Sequence, residues 1–71
     1  MEIEIVCDPD VRFGKPVIKG TRVSVYDILD ALKSGWTIDE IAKEFRISKE
    51  SVIKAIEFVE DRLREIMLIK V

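Results

Sequence analysis

Residues 36–59 read WTIDEIAKEFRISKESVIKAIEFV, and this stretch decides the fold. Thr37 and Glu40 have the spacing of a capping box, in which each side chain satisfies the other residue's backbone N–H. The spacing predicts a helix over 38–45 with Ile38, Ile41, Ala42 and Phe45 on one face. Arg46-Ile47-Ser48 then forms a three-residue turn, and Ser48 caps a second helix over 49–66. Ala42 is the small residue that lets two helices cross closely, and Val52 is the apolar anchor of the second. The pattern is that of a helix-turn-helix. One departure stands out: Arg46 occupies the turn position that glycine usually holds, where a left-handed backbone suits a side chain poorly.

Working upstream, Ser24 reads as the cap of an earlier helix over 25–34 that buries Val25, Ile28, Leu29 and Leu32. Gly35 sits where a left-handed residue ends that helix, so Trp36 can fold back on Ala31. Apolar pairs bracket all three caps at the hydrophobic-staple spacing: Val23 with Ile28, Trp36 with Ile41, and Ile47 with Val52. Residues 8–23 hold both prolines and two of the three glycines. They read as turns with a short extended piece at Val17–Lys19. Residues 2–7 alternate, with Ile3, Ile5 and Cys7 on one face and Glu2 and Glu4 on the other, as in a half-buried strand.

Downstream, the last helix carries Val52, Ile56, Val59, Leu63 and Ile66 in a 4-3-4-3 spacing, a heptad-like seam. Its second half runs past the first two helices and would be bare in a lone chain, so Val59, Leu63 and Ile66 are expected to face a second copy. The tail 67–71 alternates again and is expected to form a strand that could pair with residues 2–7. The expected fold is thus mainly α: a three-helix bundle with a short N-terminal strand, and one domain over 1–71. Segments 1–23, 24–66 and 67–71 are strand with turns, helices, and terminal strand.

Seventy-one residues bury little surface, and such chains usually lean on a disulfide, a metal or a partner. Cys7 is the only cysteine and there is no histidine, which excludes an intrachain disulfide and argues against a zinc site. A homodimer is the remaining expectation. No cofactor motif is present. Cys7 reads as a buried thiol rather than a nucleophile, since no histidine could activate it, so an enzyme is not expected. Met1 is followed by Glu2 and Glu4 rather than a basic and then apolar run, so the expected location is the cytoplasm, with no membrane segment.

The net charge of −2 argues against indiscriminate nucleic-acid binding. With Val52 inward, helical geometry turns Glu50, Lys54, Glu57 and Asp61 outward, and three of those four repel phosphate. Only Arg46, Ser48, Lys49, Ser51 and Lys54 offer double-stranded DNA a usable end of the helix. The alternative is a turn used for packing alone. A second charged feature precedes the helices: residues 11–23 hold Arg12, Lys15, Lys19 and Arg22 and no acid, after four acids in 1–10. Three readings compete for this glycine-bearing segment. It can be an arm on DNA phosphates, a docking surface for an acidic partner, or a structural counterweight to the acidic strand.

At residues 14–25, GKPVIKGTRVSV, the chain resembles the bacterial and archaeal family called domain of unknown function 433. The likeness continues through DILDALKSGWTIDEIAKEF to ISKESVIKAIEF, about residues 8–60. It implies a homeodomain-like three-helix domain and an antitoxin-like role beside a small PIN-like nuclease toxin, in the manner of VapB-type antitoxins. Gly14, Lys15, Pro16, Gly20, Thr21 and Arg22 match the family signature, with Lys19 inside it. The resemblance leaves the role of those residues open.

Overall fold

The apolar faces of the three helices meet on one cluster, and the N-terminal segment closes it from the side. The computed structural model describes residues 2–69. Strand β1 spans Ile5–Cys7 and strand β2 spans Pro16–Ile18, with a tight left-handed turn at Arg12–Gly14 between them. Helices α1, α2 and α3 span Val25–Lys33, Ile38–Phe45 and Lys49–Ile69. The strands pair antiparallel, Ile5 opposite Ile18, Val6 opposite Val17 and Cys7 opposite Pro16. Ile18, Val25, Ile28, Ala31, Ile41, Ala42, Val52 and Ala55 form the buried cluster, and Ile3, Ile5, Leu29, Leu32, Phe45 and Val59 pack around it half-buried. Ala42 and Ala55 supply the small volumes that let α2 and α3 approach.

Each helix begins where its cap predicts. Ser24 Oγ accepts from the Asp27 N–H at 3.0 Å, and Asp27 Oδ2 accepts from the Ser24 N–H at 3.0 Å. Thr37 and Glu40 exchange the same pair of bonds at 3.1 and 2.8 Å. Ser48 Oγ accepts from the Ser51 N–H at 3.1 Å. The ends of α1 and α2 are built alike. Trp36 N–H donates to Ala31 O and Gly35 N–H to Leu32 O, both near 3 Å, around Gly35 at φ 94°. Ile47 N–H donates to Ala42 O at 3.0 Å around Arg46 at φ 57°, ψ 45°. Both follow the Schellman pattern, one on glycine and one on arginine. Stacking of Trp36 on Phe45, centroids 6.3 Å apart, ties the first of these turns to the end of α2.

Three expectations need correction. The tail is not a strand where it is described: Met67 to Ile69 are the last turn of α3, and the rest of 67–71 lies outside the described residues. Nothing in that stretch breaks a helix, and the alternation that suggested a strand fits a helical turn as well. The N-terminal strand is shorter than 2–7, although Lys19 N–H bonds Glu4 O at 2.9 Å just ahead of it. Cys7 is exposed, because it ends the strand where the ribbon leaves the bundle, while Ile3 and Ile5 cover the core. The overhang of α3 exposes Leu63 and Ile66, 54 and 59 %, and Met67, 74 %, while Val59, expected on the same face, packs half-buried against the core.

Candidate functional site

The helix-turn-helix face is built by α2, the Arg46–Ser48 turn and the start of α3. Arg46, Ser48, Lys49 and Lys54 are exposed there. Ser51 is not: it is 6 % exposed, and its hydroxyl lies 2.9 Å from that of Ser48. It shares a hydrogen with the cap and cannot reach outward, so it leaves the set of groups able to touch DNA. Lys49 Nζ stands 3.3 Å from Asp39 and Lys54 Nζ 3.8 Å from Glu57. Such exposed pairs are weak, yet each puts a carboxylate beside the cation that a phosphate would want.

The glycine-bearing segment is a scaffold in most of its parts. Gly14 and Gly20 adopt φ 81° and 85°, which only glycine takes without strain. Thr21 Oγ1 donates to Ile18 O at 2.8 Å and accepts from the Val23 N–H at 3.0 Å, fixing the turn that leads into α1. Pro16 begins β2 opposite Cys7, where its missing N–H costs nothing because that position faces away from β1. Lys19 pairs with Glu4 at 3.5 Å, the one place among the described residues where a base answers the acidic strand. Lys15 Nζ stands 6.0 Å from the Tyr26 ring centre, and Arg22 is exposed.

Arg12 has a role that charge counting missed. It reaches fifteen residues along the chain to α1. Its guanidinium donates to Asp27 Oδ2 at 2.9 Å and Oδ1 at 3.4 Å, and to Arg22 O at 2.8 Å. Burial opposes the charge on Asp27, but the bonds from Arg12 and Ser24 outweigh it, and the carboxyl titrates below its ordinary 3.8. That perturbation belongs to a helix cap, not to a reacting centre. Holding Arg12 there bends the chain: Arg12 and Phe13 both take positive φ, 50° and 59°, and Phe13 is left 95 % exposed. A Ser24-x-x-Asp27 spacing was the only signal of this arrangement in the sequence.

A groove runs beside β1. The Lys19–Glu4 bond and the Val6–Val17 pairing put the backbone groups of Glu4 and Val6 toward β2. By the two-residue period of a strand, those of Ile5 and Cys7 point the other way, and among the described residues β2 is the only strand that β1 pairs with. On that free side lies the outward row of α3. Glu2, Ile3, Glu50, Ile53, Lys54 and Glu57 line one stretch of the groove, and Ile3, Glu4, Ile5, Phe58 and Asp61 continue it. Ile53, 44 % exposed, is an apolar floor residue that the count of outward positions overlooked.

Among the described residues no group of three or more cysteine or carboxylate side chains could hold a metal ion, and no helix is long and apolar enough to cross a membrane. The family model described as "Protein of unknown function (DUF433)" matches residues 5–59. A relative named "Putative antitoxin VapB45", from Mycobacterium tuberculosis (strain ATCC 25618 / H37Rv), is 28% identical over 58 residues. The match covers 82% of this chain and 24% of that protein, so the chain spans about a quarter of its relative's length. No solved structure matches the chain.

Proposed function

Since the chain belongs to the family of unknown function 433, we propose that it is an antitoxin-like protein whose partner is a PIN-like nuclease toxin. The observation that carries this reading is the stretch of 58 residues, 82% of this chain, shared with a relative named as a putative antitoxin. The surface agrees with a protein that works by contact. It presents Phe13 on the turn between the strands, Tyr26 beside Lys15, and the bare seam of α3. Exposed aromatics of this kind anchor protein interfaces.

The same reading makes it a homodimer through Leu63 and Ile66, with Val59, half-buried against the core, at the edge of that face. The alternative, a dimeric interaction module without nucleic-acid binding, shares this interface and differs only in the partner. Operator DNA is a second ligand of the proposal. It is favoured by one feature, the exposed Arg46, Ser48, Lys49 and Lys54 at the start of α3.

Tagged protein co-expressed with the product of the neighbouring gene tests the toxin reading. Retention of that product through purification is expected, and its loss overturns the reading. Titration of operator-length duplex at about 50 and 200 mM salt tests the DNA part. Binding that weakens steeply with salt is expected, and no binding at the lower salt removes DNA from the proposal. Sedimentation of the wild type against Leu63→Glu tests the dimer.

A further inference from the structure

We infer that the groove between the free edge of β1 and the outer row of α3 accepts an extended, lysine- or arginine-rich segment of a partner protein, which adds to β1 as a third strand. Four observations converge on this. The outward N–H and C=O groups of Ile5 and Cys7 have no strand beside them among the described residues, and unpaired edges are the usual template for strand addition. The space beside that edge is an open groove rather than packed protein. Its floor is apolar, with Ile3, Ile53 and Phe58, so every second side chain of an added strand meets a hydrophobic surface. Its rim is acidic on balance: Glu2, Glu4, Glu50, Glu57 and Asp61 line it, with Glu4, Glu57 and Asp61 facing Lys19, Lys54 and Arg64 at 3.5, 3.8 and 3.2 Å and Glu2 and Glu50 facing no cation within 4 Å among the described residues.

That charge selects the occupant. A nucleic-acid backbone is repelled by it. A second copy of β1 is disfavoured as well, because two-fold pairing about Ile5 or Val6 sets Glu2 or Glu4 opposite Asp8 of the other chain, and like charges across a ladder are destabilising. A segment that alternates basic and apolar residues satisfies backbone, floor and rim together. The groove also lies apart from the overhanging seam of α3, so a dimer and a bound strand can coexist. The inference rests on the proposed toxin only for the owner of the strand.

The probe is a ten-residue peptide alternating lysine and valine, compared with its glutamate–valine counterpart and with a lysine–valine peptide N-methylated at every second residue. The full chain is labelled with 15N and titrated at low salt. Shifts are expected at Ile3, Ile5, Cys7, Ile53 and Glu57, with amide exchange at Ile5 and Cys7 slowed tenfold or more. The glutamate and N-methylated peptides are expected to bind at least tenfold more weakly, as is the lysine peptide on the double variant Glu4→Lys, Glu57→Lys. Equal binding of all three peptides overturns the inference, and so does unchanged exchange at Ile5 and Cys7, or no binding of the lysine peptide. If the neighbouring gene product co-purifies and the lysine peptide does not bind, the groove fails and the toxin reading stands. If the peptide binds as described and the gene product does not co-purify, the toxin reading fails and the groove stands.

Discussion

The two halves of α3 have the same spacing of apolar residues and opposite surroundings. Up to Val59 the helix is a wall of the core: Val52 is 0 % and Ala55 1 % exposed. From Glu60 on, the seam continues through Leu63 and Ile66, which are more than half exposed and lie beyond α1, α2 and the ribbon. The overhang is held as a helix by its own turns, with Arg62 to Glu65 at 3.4 Å, Arg64 to Asp61 at 3.2 Å, and the Arg62 guanidinium over Phe58. Exposed pairs of that kind add only a few tenths of a kcal/mol each. A heptad pattern therefore says which side chains share a stripe, and only the neighbouring elements say whether the stripe is covered.

Substitution separates the halves most sharply at Val52 and Leu63. Val52→Ala is expected to cost about 2 kcal/mol, roughly 8–16 °C in melting temperature, at every protein concentration. Leu63→Ala is expected to change the dilute protein by less than about 0.5 kcal/mol, and to remove any rise of melting temperature with concentration. Thermal unfolding across a concentration series checks both. Equal losses in the dilute protein would mean the overhang is packed within one chain. Next in size is Ser24→Ala. It strips a fully buried cap from α1 and is expected to cost about 1–2 kcal/mol by denaturant unfolding, again without concentration dependence.

The two Schellman turns sharpen the comparison inside the bundle. Gly35→Ala meets no atom within 4 Å, so its expected cost of about 1 kcal/mol is backbone strain alone. Arg46→Gly relieves the same strain and is expected to stabilise by up to about 1 kcal/mol. A loss at Arg46→Gly would show that the arginine side chain holds the turn. The smallest effect is a pH dependence. Asp27 titrates low in the folded chain, so its contribution is complete above the ordinary 3.8 and is lost as pH falls through the lowered folded value. The stability gap between wild type and Asp27→Asn is therefore expected to close in acid and stay open at neutral pH.

What the sequence made legible tracks how local each interaction is. The bounds of α2 follow from Thr37, Glu40 and the turn at Arg46, all within one short stretch. The end of α3 was not legible, because Met67 to Ile69 carry no stop signal. Ser51 faces inward, against its helical position, because a small polar residue can satisfy itself on the neighbouring cap. Arg12 reads as surface charge in the sequence because its partner lies fifteen residues away. The groove beside β1 exists only once the ribbon is laid against α3. The acids on both of its sides were visible as separate runs, but not as one rim.

Cys7 gives the molecule a single exposed sulfhydryl, set at the end of the strand that borders the groove. In aerated buffer two molecules can be tied together there covalently, and that pair would imitate self-association on a sizing column. Work on the overhang therefore calls for reductant or Cys7→Ser. A maleimide dye on the same atom turns the position into an optical reporter at the end of β1.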